Sequence, residues 1–185
     1  MNLSDLNLDF QSWSRWRRYS QTFPLFLDLL KPTKEDVILD VGAGTCVIAD
    51  HVAYICDEVF ALEPQDKRVD YARRKFPQVK VFQSSAQNIP FPESYFTKIY
   101  VINAFHHFSN QTDAISEFYR ISKKKSILLI QEMDQDSIVA RLEKRFSKYD
   151  FETPESLQRK TELGGFETLR IEKFQQSYII LSQKA

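Results

Sequence analysis

The sequence is short of several features that would place it in whole classes of protein. It carries two cysteines in 185 residues, Cys46 and Cys56, too few for a disulfide framework or a cysteine-based metal centre. No apolar stretch approaches the length that a membrane-spanning helix needs. The opening residues Met1-Asn2-Leu3-Ser4-Asp5 lack the basic region and apolar run of a secretory leader, so a reducing cytoplasm is the expected compartment. An excess of either charge is missing too: 25 basic residues face 25 acidic ones. Such a surface offers polyanions no attracting field, which argues against a dedicated nucleic-acid binder and for small ligands or protein partners. Nothing here excludes a homo-oligomer. Repeats, linkers and low-complexity tracts are absent, and the four glycines fall in two close pairs, 42/44 and 164/165.

What is present is the composition of an ordinary globular protein, 43% hydrophobic and 27% charged, in a length that suits one α/β domain. Residues 1–30 hold an aromatic and basic knot (Trp13, Arg15, Trp16, Arg17, Arg18, Tyr19) and then a helical apolar pattern that stops before Pro32. From Val37 onward, strands and helices alternate. Strands are expected at Val37–Val41, Glu58–Leu62, Val79–Gln83, Phe96–Ile102 and Ser126–Gln131. Helices are expected at Val47–Ile55, Asp66–Phe76 and Asp113–Ile121. This rhythm predicts right-handed crossovers and a parallel sheet with helices on both faces. The tail differs: a charged helix over Asp136–Tyr149, and another opened by Thr153-Pro154 and closed at Gly164-Gly165. Two extended runs, Phe166–Phe174 and Ser177–Ser182, complete it as a hairpin.

The candidate site begins where the first strand ends, at Asp40-Val41-Gly42-Ala43-Gly44-Thr45. Glycines there let the backbone turn sharply and come close to a ligand, and the next helix adds its unpaired amides. In an open parallel sheet, ligands bind beyond the carboxyl ends of the strands. Asp40 within the turn would repel a dinucleotide pyrophosphate but can accept hydrogen bonds from a cationic amino-acid group. Val47 stands where the dinucleotide fingerprint wants its third glycine. An NAD(P)-dependent oxidoreductase is therefore the weaker reading. Glu63, followed by Pro64, ends the second strand about twenty residues on, where a carboxylate can receive ribose hydroxyls. After the third strand, Ser84-Ser85-Ala86-Gln87-Asn88-Ile89-Pro90-Phe91 offers amides and short polar groups to an adenine edge. After the fourth come Asn103-Ala104-Phe105-His106-His107-Phe108. Adjacent histidines rarely face the same way, so a metal pair is not expected. One is expected to cap the next helix while the other faces the cleft.

Together these residues resemble a known family. The run Val37-Ile38-Leu39-Asp40-Val41-Gly42-Ala43-Gly44-Thr45 resembles the first motif of class I S-adenosylmethionine-dependent methyltransferases, and Glu63 looks like their ribose-binding acid. Ser85–Phe91 and Asn103–Phe108 are similar to the type 11, ubiquinone/menaquinone-biosynthesis-like subgroup. The likeness runs from about Val37 to Gln131, and Thr153–Phe166 fits the family's late helix ending in Gly-Phe. It implies an α/β, Rossmann-like three-layer sandwich: a seven-stranded, mostly parallel sheet with an antiparallel C-terminal hairpin. Residues 1–185 would then form one methyltransferase domain, with 1–30 as a helical lid or extension on a Rossmann-like core at 31–185.

The resemblance also implies a cofactor, S-adenosyl-L-methionine, leaving as S-adenosyl-L-homocysteine. Asp40, Gly42, Ala43, Gly44 and Thr45 would line its methionine end, and Glu63 and Pro64 the ribose. Ser85, Ala86 and Gln87 would meet the adenine, with Asn103 and Ala104 near the sulfonium. Two positions depart from the family. Cys46 replaces the usual third glycine, tolerable if its backbone is helical rather than left-handed, and an inert small residue is expected there rather than a reactive thiol. Ser85 replaces the usual adenine-side Asp, removing one acceptor.

Methyl transfer from a sulfonium needs in-line approach and little else, so no catalytic triad is required. His106 or His107 is the candidate proton acceptor for a hydroxyl or amine. Specificity is expected from residues 1–30 and from Glu132–Tyr149, with Trp13, Trp16, Tyr19 and His107 as lid or acceptor-site candidates. The Arg15, Arg17, Arg18 cluster and Lys123–Lys125 are expected to be solvated. The acceptor is expected to be a small molecule. The alternative is a non-catalytic cofactor-binding or scaffold subunit that activates a partner.

Overall fold

The computed structural model describes residues 3–137, 141, 151–174 and 176–185. The chain falls into two compact units, Met1–Ser85 and Ala86–Ala185.

The first unit opens with helices α1 (Leu3–Tyr19) and α2 (Phe23–Leu30). α2 stops at Lys31, which takes a left-handed conformation (φ 47°) immediately before Pro32. Strand β1 (Val37–Val41), helix α3 (Val47–Val52), strand β2 (Glu58–Leu62), helix α4 (Asp66–Lys75) and strand β3 (Lys80–Phe82) follow. β1 pairs with β2 in parallel, Asp40 opposite Ala61, and β2 with β3 likewise. Four successive residues of β1, Ile38 to Val41, are buried, as a strand covered on both faces requires. α3 is shorter than the expected Val47–Ile55. Its last turn tightens, with both Ile55 N–H and Cys56 N–H donating to the Val52 carbonyl, and the chain turns toward β2.

The second unit holds β4 (Phe96–Ile102), a single helical turn Phe105–His107, and α5 (Gln111–Ile121). It continues with β5 (Ser122–Met133), α6 (Pro154–Leu163), β6 (Phe166–Phe174) and β7 (Ser177–Lys184). β4 and β5 are parallel, whereas β7 runs antiparallel to both β5 and β6. β5 begins four residues earlier than expected. The pairing jumps from Phe96–Ser122 to Lys98–Ile127, so the exposed Lys123–Lys125 run is a bulge with Lys125 left-handed, not a free turn. Thr153 caps α6 by accepting from Ser156 N–H at 3.0 Å, with Pro154 at the first position, as the sequence predicts. Most of the charged helix expected over Asp136–Tyr149 lies outside the described residues.

The seven strands form one sheet in the order β3-β2-β1-β4-β5-β7-β6, mostly parallel, with the antiparallel C-terminal hairpin that the Rossmann-like reading requires.

Candidate functional site

In the first unit, the turn after β1 is tied down at both ends. Gly42 and Ala43 donate their amides to the Leu62 carbonyl at 2.9 and 3.0 Å, which fastens the turn to the end of β2. Gly42 (φ 73°) and Gly44 (φ 60°) both sit in the left-handed region that a Cβ disfavours. Glu63 completes the clasp: its carboxylate accepts from Gly44 N–H at 2.8 Å and from Gln65 N–H at 3.1 Å, with Arg68 3.8 Å away. Asp40 and Glu63 are both almost fully buried, at 2% and 3% exposure, so neither is an ordinary strand-end surface acid. α3 has only six residues, so the polar groups at this point are the turn's own amides rather than the end of a long helix. The hydroxyl of Thr45 is buried and has no hydrogen-bond partner among the described residues.

Cys46 does not meet the condition of a helical backbone. Its backbone is left-handed (φ 61°, ψ 17°), the conformation that explains why a glycine is usual there. A side chain in this region costs about 1–2 kcal/mol, which the fold absorbs. The thiol is fully buried, and burial first, then the negative charge of Asp40, pushes it well above the ordinary thiol range, with Arg15 opposing. It is an inert packing group.

Arg15 is the residue that sequence reasoning misplaced. Arg17 and Arg18 are solvated as expected, but Arg15 is half-buried, with Nη2 3.4 Å from the Gly42 carbonyl. A Cβ built on Gly44 would collide with its Nη1. The three aromatic lid candidates divide. Trp16 stacks on His51 at 3.5 Å between centroids, Tyr19 is buried, and Trp13 is 55% exposed with Arg17 over its ring at 5.5 Å. Pro64 is exposed and Ser85 half-buried.

In the second unit, Ala86 and Ala104 are buried and Gln87 donates to the Asn110 carbonyl at 3.2 Å. The Ile89–Phe91 loop is held by α5. Ile89 N–H donates to Glu117, and Arg120 donates to the carbonyls of Ile89 and Phe91. The Arg120 guanidinium in turn holds the Glu117 carboxyl below its ordinary range. Asn103 is left-handed (φ 45°) and donates its amide to the Gln131 carbonyl. The histidines do face different ways, but neither caps α5: Asn110 does, accepting from Thr112 and Asp113 N–H. His107 is exposed, whereas the His106 ring is turned inward, its Nδ1 2.7 Å from Glu132. The other oxygen of Glu132 accepts Phe105 N–H at 2.8 Å. Burial, with Glu132 as the next cause, pushes the Tyr178 phenol far above its usual range. Among the described residues, no group of three His, Cys, Asp or Glu side chains is placed to hold a metal ion. No described helix is long and apolar enough to cross a membrane.

Comparison with known proteins bears on this arrangement directly. The family described as "Methyltransferase domain", of type 11, matches residues 39–130. An uncharacterised methyltransferase-like protein of Schizosaccharomyces pombe is 31% identical over 113 residues, 58% of this chain and 42% of that protein. A demethylmenaquinone methyltransferase of Thermotoga maritima is 24% identical over 128 residues, 68% of this chain and 53% of that one. The chain thus spans about half the length or less of the curated relatives it matches. Among solved structures, the methyltransferase in a Haloferax volcanii complex with the Trm112 methyltransferase activator superimposes with a TM-score of 0.86. It is 11% identical, with 99% of this chain and 98% of that chain covered, and so speaks for the fold. By its motif order, its matched domain and its seven-stranded sheet, the chain belongs to the class I S-adenosylmethionine-dependent methyltransferases of the type 11 group.

Proposed function

We propose that this chain is an S-adenosylmethionine-dependent methyltransferase acting on a small-molecule acceptor, as one domain with residues 1–30 as a helical extension. The observation that carries the reading is the clasp of Gly44 by Glu63, directly after the buried Asp40. It makes a turn rich in amide dipoles and carboxylate acceptors, which fits a ligand with hydroxyls and a cationic amino-acid end better than a pyrophosphate. The orphan hydroxyl of Thr45 supplies one further donor and acceptor.

When bound, the cofactor supplies an electrophilic methyl group on a sulfonium. The chain's residues then bind and orient the cofactor and take the acceptor's proton. Asp40, Gly42, Ala43, Gly44 and Thr45 bind the amino-acid end, and Glu63, with acceptor capacity beyond its two amides, takes ribose hydroxyls beside Pro64. On motif order, Ser85, Ala86 and Gln87 are assigned to the adenine, and Asn103 and Ala104 to the reacting end. His107, the exposed member of the pair, takes a proton where the acceptor is a hydroxyl or amine, and His106 is held inward by Glu132.

Calorimetry with S-adenosylhomocysteine against NAD tests the cofactor, and a labelled-methyl screen of metabolite pools identifies the acceptor. Binding of NAD in preference to S-adenosylhomocysteine would overturn the proposal. Unchanged turnover in His106→Ala and His107→Ala, with folding intact, removes a proton-accepting role from both.

A second reading, a chain that works with a protein partner, is favoured by the Haloferax neighbour, which was solved together with an activator. Co-purification of a stoichiometric partner from the native host, with a gain in methyl transfer on reconstitution, supports it. Full turnover by the chain alone removes it.

A further inference from the structure

α1 carries two faces of different character. One is fastened to the helices of its own unit. Asp5 pairs with Arg74 at 2.9 Å, and Asp9 accepts from Tyr71 at 2.7 Å and pairs with Lys75 at 2.9 Å. Ser12 donates to the Tyr71 oxygen at 3.3 Å, and Trp16 stacks face to face on His51 of α3. These anchors recur every three or four residues and so share one side of the helix. Phe10, Trp13 and Arg17 each follow an anchor by one position, about 100° further round, and form a second stripe. That stripe stands in solvent. Phe10 is 63% exposed and Trp13 55%, their ring centroids are 5.8 Å apart, and the Arg17 guanidinium lies 5.5 Å from the indole centre. Arg18, exposed as well, flanks the stripe.

A single exposed apolar side chain is ordinary, but two touching aromatics with a cation against one of them form a patch. The charge around it is one-sided. Both acids of α1 are taken up by cations of α4, whereas neither Arg17 nor Arg18 has an ion pair among the described residues. α1 and α4 together hold eight basic and four acidic residues, in a chain whose totals are equal. Rings at the crest with cations beside them are the combination found on helices that lie in a membrane–water interface.

Other occupants fit this stripe less well. The exposed ring surface comes to roughly 200–300 Å². Even with both arginines added, it falls short of the area of about 800 Å² that each partner gives to a stable dimer. Single-stranded nucleic acid is held by aromatic platforms within a basic groove. Here the rings stand on the outer side of a helix, tilted 34° to each other. A lipid surface asks for less: an aromatic pair at headgroup depth, and cations within reach of anionic phosphates.

We propose that the Phe10–Trp13–Arg17 stripe, flanked by Arg18, docks this protein on an anionic membrane surface. The rings enter the headgroup layer and the guanidiniums engage lipid phosphates. The contact is peripheral, needs no membrane-spanning helix, and stands independently of the cofactor reading.

The test is co-sedimentation of the full chain with sucrose-loaded vesicles, either of phosphatidylcholine alone or of equal parts phosphatidylcholine and phosphatidylglycerol. Wild type is expected to bind the mixed vesicles at least about 10-fold more tightly, with affinity falling as salt is raised. Arg17→Gln/Arg18→Gln should lose roughly 10- to 30-fold on the mixed vesicles and little on the neutral ones. Phe10→Ala/Trp13→Ala should lose about 10-fold or more on both. Thermal melts establish that each double variant is folded, and Phe10→Gln/Trp13→Gln takes the place of the alanine pair if that one is not. Absence of wild-type binding to the mixed vesicles, equal binding to the two compositions, or undiminished binding by the aromatic variant would each overturn the proposal. Self-association of wild type without vesicles, seen by sedimentation velocity and abolished in the aromatic variant, would overturn it in favour of an interface between copies. Tighter binding to a polyuridylate strand than to mixed vesicles, lost in both double variants, would overturn it in favour of nucleic acid.

Discussion

Gly44→Ala isolates how the glycine turn is paid for, because the two penalties it introduces differ in kind. The first is conformational: at φ 60° an L-side chain costs about 1–2 kcal/mol. Against this, alanine lowers the entropy of the unfolded chain and returns about 0.4–1 kcal/mol. The second penalty is steric. The new Cβ meets the guanidinium of Arg15, but that is the far end of a flexible side chain, and its bond to the Gly42 carbonyl is a long one. Loss of that one long bond costs a fraction of an ordinary hydrogen bond, well under about 1 kcal/mol. The net expectation is a loss of about 1 kcal/mol, read as a fall of roughly 0.4 M in the urea midpoint at an unchanged slope. The double variant with Arg15→Ala separates the terms. If backbone conformation dominates, Gly44→Ala costs the same in both backgrounds to within about 0.5 kcal/mol. A loss above about 4 kcal/mol, or a loss that vanishes when Arg15 is absent, would refute the reasoning and show that the collision is the real constraint.

Three further outcomes follow from the geometry. Cys46 and Cys56 are both buried, and Cys46 is held protonated by its surroundings, so iodoacetamide at about pH 8 should modify the native chain far more slowly than a free thiol; modification of one cysteine at the free rate would contradict this. Glu132→Ala removes the buried acceptor of Phe105 N–H and the carboxylate beside His106 Nδ1, and urea unfolding should show a loss of about 2–4 kcal/mol, whereas a loss under about 1 kcal/mol would mean the pair is dispensable. Glu117 has a depressed folded-state pKa, so its contribution is complete above its ordinary value of 4.5 and is lost as pH falls below that. Exchange of the Ile89 amide at about pH 6, corrected for intrinsic rates, should be faster in Glu117→Ala than in wild type, and wild type should lose protection only as the pH falls well below 4.5; equal protection in the two at about pH 6 would show that the Arg120–Glu117 pair does not hold the loop.

Much of the scaffold was legible because its signals are local. Val37–Val41, Glu58–Leu62 and Phe96–Ile102 are apolar runs bounded by turn residues, and the structure begins and ends each where the sequence does. Thr153-Pro154 likewise announces α6 through cap chemistry that depends on adjacent residues. What escaped was long-range. Nothing near position 15 distinguishes Arg15 from Arg17 and Arg18; only the docking of α1 on α3 and α4 turns one inward and leaves the other two in solvent. Glu132 reads as the start of the segment that follows a strand, and its partnership with His106, twenty-six residues away, appears only when β4 and β5 pair. Cys46 is a subtler case. A helical backbone was the condition for tolerating it, but the turn geometry is imposed by the amides clasped to Leu62 and Glu63, and the side chain must accept it.

The stacking of Trp16 on His51 gives the molecule a built-in optical gauge. The sequence holds two tryptophans, one largely in solvent at position 13 and one pressed against an imidazole on α3. Replacing Trp13 by Phe leaves a single emitter whose fluorescence depends on whether the first helix is seated. Such a variant would report, during any ligand titration and without labels, whether filling the glycine turn holds α1 in place or lifts it away.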